Sequence, residues 1–264
     1  MKYKLLAVDM DGTLLNEESI VTRRTREAVW AAMDRGVLFV PSTGRPMGGM
    51  RKILSDFDGD LPLILFNGAM AVTAKTGRAL FSQGLDFRCA EAIFAGGVRG
   101  GYPVIAWAGE RLFVSCENEE VSTYQAITGA EVHIVADMEP MRALGVTKML
   151  WIIPPEDANR LRDEMLGLLG SRVSCYTSQS YLLEFVDAGA SKGLALGAIG
   201  AAYGIAREEM IAVGDGYNDV PMLEYAGLGV AMGNAPADIK AMCQDVTLSN
   251  SEDGVAAVIE KYFL

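Results

Sequence analysis

The stretch LAVDMDGTLL, residues 6–15, runs a short apolar segment directly into two acids that are spaced one residue apart. If the apolar segment is a buried strand, the carboxylates of Asp9 and Asp11 lie close together at its end, where they repel each other and lose hydration. Gly12 and Thr13 follow at once, before the chain returns to leucine. Because this arrangement opposes stability, we interpret it as a functional site whose charges are balanced by a bound cation.

The segments around this stretch alternate between strand-like and helix-like patterns. Thr22 is a suitable N-cap for a helix that Gly36 ends. Before residue 84 we predict strands over 4–10, 37–43 and 61–68, and helices over 22–36 and 47–57. After residue 187 we predict helices over 192–204, 220–227, 236–243 and 254–264, strands over 210–215 and 228–233, and a last short strand between the final two helices. The alternation predicts an α/β fold, a doubly wound parallel sheet of Rossmann-like type with helices on both faces.

Residues 84–187 have a different pattern, in which strands outnumber helices. The predicted helices cover 87–101 and 156–170, and the predicted strands cover 102–109, 111–116, 148–154, 172–178 and 181–187. We interpret this segment as an inserted α+β domain, with residues 1–83 and 188–264 forming the domain that it interrupts.

Composition excludes several classes of function. The 264 residues carry a net charge of −11 without a cluster of Lys or Arg, which argues against a nucleic-acid or anionic-membrane partner. We find no apolar run of membrane-spanning length and no signal-peptide pattern, so a cytoplasmic location is expected. The four cysteines are scattered, and His133 is the one histidine. A zinc site built from histidines and a two-histidine mechanism are therefore excluded.

Four unusual segments fall where predicted strands end or a predicted helix begins. They are residues 9–13, 42–45, 191–193 and 214–219, with the sequences DMDGT, STGR, SKG and GDGYND. In an open parallel sheet, ligands bind beyond the carboxyl ends of the strands. We therefore expect the four segments, which come from both halves of the interrupted domain, to form one site.

The residue types in these segments are suited to phosphate chemistry. Asp9, Asp215 and Asp219 offer hard oxygen ligands, which suit Mg²⁺ better than zinc or copper. Lys192 adds a positive charge and Thr43 a hydroxyl, while the neighbouring glycines let backbone N–H groups approach an anion. Together they indicate a magnesium-dependent phosphate site.

Two of the acids have candidate catalytic roles. The carboxylate of Asp9 could attack phosphorus as a nucleophile. Asp11, two residues further on, could protonate the leaving oxygen and then activate water.

At this point the sequence resembles a known family. DMDGTLL, STGRP, SKG and GDGYNDVPML resemble, in order and spacing, the four motifs of the haloacid dehalogenase superfamily of phosphotransferases. The position of the insertion, between the second and third motifs, is similar to that in the Cof-type branch of sugar-phosphate phosphatases. LFNGA before the insertion and GVAMGNA after the fourth motif are also similar to that branch.

The resemblance implies roles for individual residues. Asp9 would be the nucleophile that becomes an aspartyl-phosphate, and Asp11 the general acid and base. Mg²⁺ would be held by Asp9, by the backbone carbonyl of Asp11 and by Asp215, with Asp219 supporting it directly or through water.

The resemblance also implies where the substrate binds. Thr43, Gly44 and Lys192 would bind the phosphoryl group, with Asn218 nearby. The partner would be a small phosphate ester, and the inserted domain would act as a cap that selects it.

Two other interpretations, a calcium loop and a serine hydrolase, are excluded by the spacing or the order of the residues. DMDG places Gly12 at the fourth position, whereas a calcium loop needs its glycine at the sixth, and a strand precedes it instead of a helix. GASKG, residues 189–193, matches a serine-hydrolase elbow, but that mechanism needs a histidine after the serine and His133 precedes it. We expect Ser191 to cap the helix that presents Lys192.

Two alternatives to a phosphatase stay open at this point. A phosphomutase would return the phosphoryl group to a sugar instead of to water. A non-catalytic sensor of phosphorylated ligands could use the same fold, since fold alone does not define function.

Overall fold

The computed structural model describes residues 2–109 and 111–264. The chain forms two compact units. The first comprises Met1–Gly44, Met50–Phe81 and Ser191–Leu264, and the second comprises Arg45–Gly49 and Ser82–Ala190. The segment Arg45–Gly49, which the sequence analysis assigned to the interrupted domain, thus falls in the second unit. That the second unit is a substrate-selecting cap stays a prediction.

The first unit is built from an eight-stranded sheet and helices. Its strands are β1 (Leu5–Asp9), β2 (Leu38–Ser42), β3 (Pro62–Leu65), β4 (Met70–Thr73) and β5 (Ala79–Ser82), with β12 (Met210–Gly214), β13 (Leu228–Ala231) and β14 (Asp245–Val246) after the insertion. Its helices are α1 (Arg23–Asp34), α2 (Arg51–Leu54), α6 (Lys192–Tyr203), α7 (Val220–Tyr225), α8 (Ala237–Met242) and α9 (Gly254–Tyr262).

The sheet of the first unit has the strand order β14-β13-β12-β1-β2-β3-β4-β5. The pairs from β14 to β3 are parallel, which confirms the α/β fold predicted from the sequence. Strand β1 lies in the middle and is buried along its whole length. A central strand that is covered on both faces requires the continuous apolar run that the sequence has before Asp9.

Alternate residues of each strand point to opposite faces of the sheet, and helices pack against these side chains. Leu5 and Ala7 of β1 pack in one core with residues of α6, α7 and α8, among them Leu196 and Ile239. Helix α1 contacts β2 and also packs against α9. Thr22 caps α1 by accepting from the backbone N–H of Thr25, as predicted.

Two stretches before residue 84 differ from the prediction. Strand β4 pairs antiparallel with β3 and is followed by β5, in a segment for which we predicted no strand. The helix predicted over 47–57 is reduced to a 3-10 turn at Met47–Met50 and the single turn of α2. Gly48 and Gly49 explain the shortening, because glycine is a poor helix former.

The second unit contains a six-stranded sheet. Its strands are β6 (Val104–Ala108), β7 (Arg111–Val114), β8 (Val132–Ile134), β9 (Val146–Ile152), β10 (Val173–Gln179) and β11 (Leu182–Asp187), in the order β10-β11-β9-β6-β7-β8. Its helices are α3 (Phe87–Gly100), α4 (Glu119–Thr128) and α5 (Ala158–Leu169). The sequence analysis did not predict α4 or β8.

The second sheet packs one face against two helices. Trp151 and Phe185 stand on that face and contact each other, and the core continues into α3 through Ile93 and into α5 through Leu161. The strands are mostly antiparallel, so the unit is α+β, as expected for the insertion.

Within the described ranges, 2–109 and 111–264, no helix is both long enough and apolar enough to cross a bilayer.

Candidate active site

The strand register places the predicted motifs at one edge of the first sheet. Asp9, the last residue of β1, lies opposite Ser42, the last residue of β2. On the other side of β1, Val8 lies opposite Val213 of β12, so Gly214 and the residues after it emerge at the same edge. Parallel strands that end in register therefore bring together acids that are more than 200 residues apart in the chain.

The turn after β1 is closed by backbone hydrogen bonds. Leu14 N–H donates to the carbonyl of Asp9, at 3.0 Å, and Leu15 N–H donates to that of Met10, at 2.9 Å. Gly12 has a φ of +83°, in the left-handed region, and a Cβ at this position would lie 2.5 Å from Oδ2 of Asp215. Glycine is thus required here both by the backbone and by the carboxylate beside it.

Lys192 is the positive charge of the site, and it is fully buried. Its Nζ donates to Oδ1 of Asp9 at 2.5 Å and to Oδ1 of Asp219 at 2.6 Å. Lys192 opens α6, and Ser191 caps that helix by accepting from the N–H of Leu194, as predicted. A single ammonium therefore holds together carboxylates from the first and fourth motifs.

Asp219 has hydrogen-bond partners on both carboxylate oxygens. Its Oδ1 binds Lys192, and its Oδ2 accepts from the backbone N–H groups of Asp215, at 3.0 Å, and of Gly216, at 2.9 Å. These bonds fold the segment after β12 into a tight turn around the carboxylate. Asp219 thereby fixes the position of Asp215.

Asp215 is half-buried and receives a donor on each carboxylate oxygen. The hydroxyl of Thr13 donates to Oδ1 at 2.8 Å, and the side-chain amide of Asn234 lies 3.4 Å from Oδ2. Neither Thr13 nor Asn234 was predicted from the sequence as a site residue.

The three acids predicted as metal ligands lie close together. Asp9, Asp215 and Asp219 each place a carboxylate oxygen within 4.8 Å of those of the others. Lys192 supplies one positive charge, which does not balance the negative charge of the three carboxylates. A hard divalent cation such as Mg²⁺ prefers oxygen ligands, and its charge would balance the excess negative charge of these carboxylates.

The electrostatics of the acids agree with this fit. Burial, followed by repulsion from Asp219, raises the pKa of Asp9 well above its ordinary value, although Lys192 opposes the effect. Burial also raises the pKa of Asp215, against the hydrogen bond from Thr13. For Lys192, burial alone would lower the pKa, but Asp219 and Asp9 outweigh it and raise the pKa above its ordinary value. A cation would relieve this excess of negative charge.

The predicted phosphate-binding residues of the second motif follow β2. Thr43 is buried, and its N–H donates to the carbonyl of Ile64 at 2.8 Å. Its own carbonyl accepts from the N–H of Asn67, at 3.0 Å. A Cβ at Gly44 would lie 3.0 Å from Oδ1 of Asn67, and the same oxygen accepts from Nδ2 of Asn218 at 3.1 Å.

Asn67 thus bonds to one predicted phosphate-binding residue, Asn218, and its side chain lies close to the backbone of another, Gly44. It has a φ of +55°, a conformation that asparagine tolerates better than most residues. The sequence analysis noted LFNGA only as similar to the family and assigned no role to Asn67.

Asp11 lies two residues beyond Asp9, and its side chain is exposed where that of Asp9 is buried. An exposed carboxylate is accessible to water, which is compatible with the proton exchange that its predicted role requires. Every residue predicted for the site, Asp11 included, falls in the first unit.

Comparison with known proteins identifies the family. A family model described as haloacid dehalogenase-like hydrolase matches residues 6–259. The chain belongs to this family. The hydrolase is 28% identical over 267 residues to the 5-amino-6-(5-phospho-D-ribitylamino)uracil phosphatase YitU of Bacillus subtilis, an alignment that covers 99% of this chain and 98% of that protein.

Solved structures have the same fold. A haloacid dehalogenase-like hydrolase from Bacteroides thetaiotaomicron superposes with a TM-score of 0.89 at 28% identity, covering 99% of this chain and 100% of that one. The sugar phosphatase BT4131, of subclass IIB of the superfamily, superposes with a TM-score of 0.82 at 26% identity, covering 98% of both chains. These similarities confirm the resemblance to the Cof-type branch and the expectation that the hydrolase is an enzyme of the phosphatase class.

Three site residues of the hydrolase were not predicted, and the sequence pattern around each of them is a weak indication by itself. Thr13 lies inside the first motif, and Asn67 and Asn234 lie in the NGA and GNA strings that end short strands. Glycine and asparagine are common turn residues, so each string alone is equally consistent with an ordinary turn.

Proposed function

We propose that the hydrolase removes phosphate from small phosphate monoesters, sugar phosphates in particular, in a Mg²⁺-dependent reaction through an aspartyl-phosphate. The observation that carries this proposal is the position of Asp9. Its buried carboxylate lies beside Lys192 and within 4.8 Å of ligand oxygens of Asp215 and Asp219, at the carboxyl edge of a parallel sheet.

The cation would be held by Asp9, Asp215 and the backbone carbonyl of Asp11, with Asp219 in support. Asp219 already accepts three hydrogen bonds, one of them from the Lys192 ammonium, whereas Asp215 accepts one at 2.8 Å and has a second donor at 3.4 Å, so the supporting role suits Asp219 better. When bound, Mg²⁺ supplies positive charge that lets an anionic phosphate ester approach the acids.

In the first step a carboxylate oxygen of Asp9 attacks phosphorus. Lys192 holds Oδ1, so we assign Oδ2 as the attacking oxygen. The bond from phosphorus to the ester oxygen breaks, and Asp11 gives its proton to that oxygen, so that the leaving group departs as a neutral alcohol. The product is an aspartyl-phosphate on Asp9.

In the second step Asp11 acts as a base. It takes a proton from a water molecule whose oxygen attacks phosphorus, and the bond between phosphorus and Asp9 breaks. Asp11 is protonated again and Asp9 is free, so the cycle closes with release of inorganic phosphate. The exposure of Asp11 supports both proton transfers.

Thr43, Gly44 and Lys192 would bind the phosphoryl oxygens, and Asn67 would hold Asn218 in place for the same task. Lys192 has a second role, since its ammonium keeps the carboxylate of Asp9 in position before the substrate arrives. Positioning of this kind lowers the barrier without new bonds to the substrate.

The substrate class is proposed from the relatives. BT4131 is named a sugar phosphatase, and YitU is named for a substrate whose phosphate is carried on a ribityl chain. Both names describe phosphates of polyhydroxylated carbon chains. Selection among such esters by the second unit, and a cytoplasmic location, stay predictions.

The proposal is tested by phosphate release from para-nitrophenyl phosphate and from a panel of sugar phosphates, with Mg²⁺ and with EDTA. We expect activity that EDTA abolishes and that Asp9→Asn reduces to background. Asp58→Asn, the same change at an exposed position of the first unit, is the matched control and should retain full activity. Metal-dependent activity that survives Asp9→Asn would contradict the covalent step.

The same assay separates the alternatives. Activity that depends on a sugar bisphosphate activator, with a phosphorylated isomer as product, would indicate a phosphomutase. Binding of sugar phosphates in Mg²⁺ without turnover of any of them would indicate a sensor.

A further inference from the structure

Asn234 lies outside the four motifs but contacts two of them. Its Nδ2 donates to the backbone carbonyl of Gly12 at 2.9 Å and lies 3.4 Å from Oδ2 of Asp215. Gly12 is 222 residues away in the chain and belongs to the turn that follows Asp9. One side-chain amide therefore ties the first motif to the fourth.

The orientation of this amide is set by a third bond. The backbone N–H of Asn250 donates to Oδ1 of Asn234 at 3.1 Å. Only the oxygen of an amide can accept that bond, so the NH₂ group must face Gly12 and Asp215. An NH₂ group has two hydrogens, which matches the two acceptors in front of it. A hydroxyl or a carboxylate could not supply this set.

The segment that carries Asn234 is held by its neighbours. Met232 and Ala235, on either side, are buried, and Met232 N–H donates to the carbonyl of Gly214 at 3.0 Å. Gly233 N–H donates to the carbonyl of Leu248 at 2.9 Å. Asn234 itself is exposed, so its side chain presents the amide from a fixed backbone without belonging to the core.

We propose that Asn234 is a positioning residue for the cation site, acting by holding the turn that carries the Asp11 carbonyl in place beside the Asp215 carboxylate. The inference rests on the proposed function, because the cation is part of it. Groups that orient metal ligands in this way typically change metal affinity by about 10- to 100-fold when they are removed.

The inference is tested by measuring the dissociation constant of Mg²⁺ by calorimetry for the wild type and for Asn234→Ala. We expect Asn234→Ala to weaken Mg²⁺ binding by about tenfold. At saturating Mg²⁺ its kcat should return close to the wild-type value, and its melting temperature without Mg²⁺ should fall only slightly, because the hydrogen bonds that are lost are exposed to solvent. The matched control is Asn159→Ala, an exposed asparagine on α5 of the second unit, which should leave Mg²⁺ binding unchanged.

An unchanged dissociation constant for Mg²⁺ in Asn234→Ala would overturn the inference, and so would a wild type that binds no Mg²⁺. Failure of this inference can be distinguished from failure of the proposed function. A wild type that binds Mg²⁺ but hydrolyses no phosphate ester contradicts the proposed function, while the comparison of dissociation constants still decides the role of Asn234.

Discussion

The ammonium of Lys192 lies 2.5 Å from Oδ1 of Asp9, in a place where neither side chain is substantially exposed to solvent. A second carboxylate, that of Asp219, contacts the same ammonium at 2.6 Å. Buried charges are tolerated only when they are paired, and here one cation faces two anions. The stability of the first unit and its chemistry therefore depend on the same contact.

Replacing Lys192 should damage both stability and activity. Lys192→Met leaves two buried carboxylates without their cation, and we expect it to lower the free energy of unfolding by about 3–5 kcal/mol without Mg²⁺. Urea denaturation measures this loss. Added Mg²⁺ should recover part of it, because the cation takes over the neutralisation, whereas phosphatase activity should stay at background.

The matched control for Lys192→Met is Lys75→Met, which removes an exposed lysine from the same unit. It should change neither the urea midpoint nor the activity. A Lys192→Met protein as stable as the wild type in EDTA would contradict the assignment of Lys192 as the balancing charge.

The stabilisation by Mg²⁺ should increase with pH. In the folded protein the pKa values of Asp9 and Asp215 are raised, chiefly by burial, so the folded state binds more protons than the unfolded state above the ordinary carboxyl pKa of about 4. Without Mg²⁺ these groups therefore make the protein less stable as the pH rises through that window. Mg²⁺ competes with the protons, so the increase in melting temperature that it causes should be larger at about pH 7 than at about pH 5.

Thermal unfolding with EDTA and with millimolar Mg²⁺, across that pH range, measures this effect. Asp215→Asn removes a ligand oxygen and should reduce the Mg²⁺-induced increase at every pH. An increase that is equal at all pH values, or larger in acid, would count against these carboxylates as the cation site.

Alanine substitution at Gly12 and at Gly36 separates the cost of a left-handed backbone from the effect of a close contact with Asp215. Their φ angles are +83° and +85°, but a Cβ at Gly12 would meet the carboxylate of Asp215, whereas a Cβ at Gly36 has no neighbour within 4 Å. Alanine should cost about 1–2 kcal/mol of stability at either position because of the left-handed backbone. Only Gly12→Ala should also displace Asp215 and lose activity and Mg²⁺ affinity. Equal activity in the two variants would contradict the role of the close approach.

The second unit contains a buried ion pair of its own. Nζ of Lys148 lies 2.7 Å from Oε2 of Glu184, and both side chains are about 4% exposed. Burial alone would lower the pKa of Lys148, but Glu184 outweighs it and raises the pKa. We expect Lys148→Met to destabilise the protein by about 3–5 kcal/mol, because the buried carboxylate of Glu184 loses the ammonium that faces it.

The double variant Lys148→Met with Glu184→Leu is the control for that prediction. It removes both charges, so it should recover most of the loss in urea denaturation. If the double variant is as unstable as Lys148→Met, the loss reflects packing and not the unbalanced charge.

Most of the first unit could be predicted because its signals are local. The continuous apolar runs of β1 and β12, each ending in an acid-rich turn, indicate buried parallel strands without knowledge of their neighbours. The caps Thr22 and Ser191 were predicted for the same reason, since a cap bonds to a backbone N–H three residues away. The strands β4, β5 and β8 and the helix α4 were not predicted. Strands as short as β4 and β8 have little pattern of their own and are stabilised by pairing with neighbouring strands, and α4 lacks a clear apolar face.

The sequence by itself determined which chemical groups are available to the site. Four motifs in a characteristic order supply the acids, the lysine and the hydroxyl, and each group is encoded within a few residues of a strand or helix end. Only the tertiary structure decided how these groups are held: Thr13 bonds to Asp215, Asn218 bonds to Asn67, and Asn234 bonds to the carbonyl of Gly12. These bonds join residues far apart in the chain. Hydrogen bonding requires donor and acceptor to meet within about 3 Å, and only strand register and helix packing bring such distant residues that close.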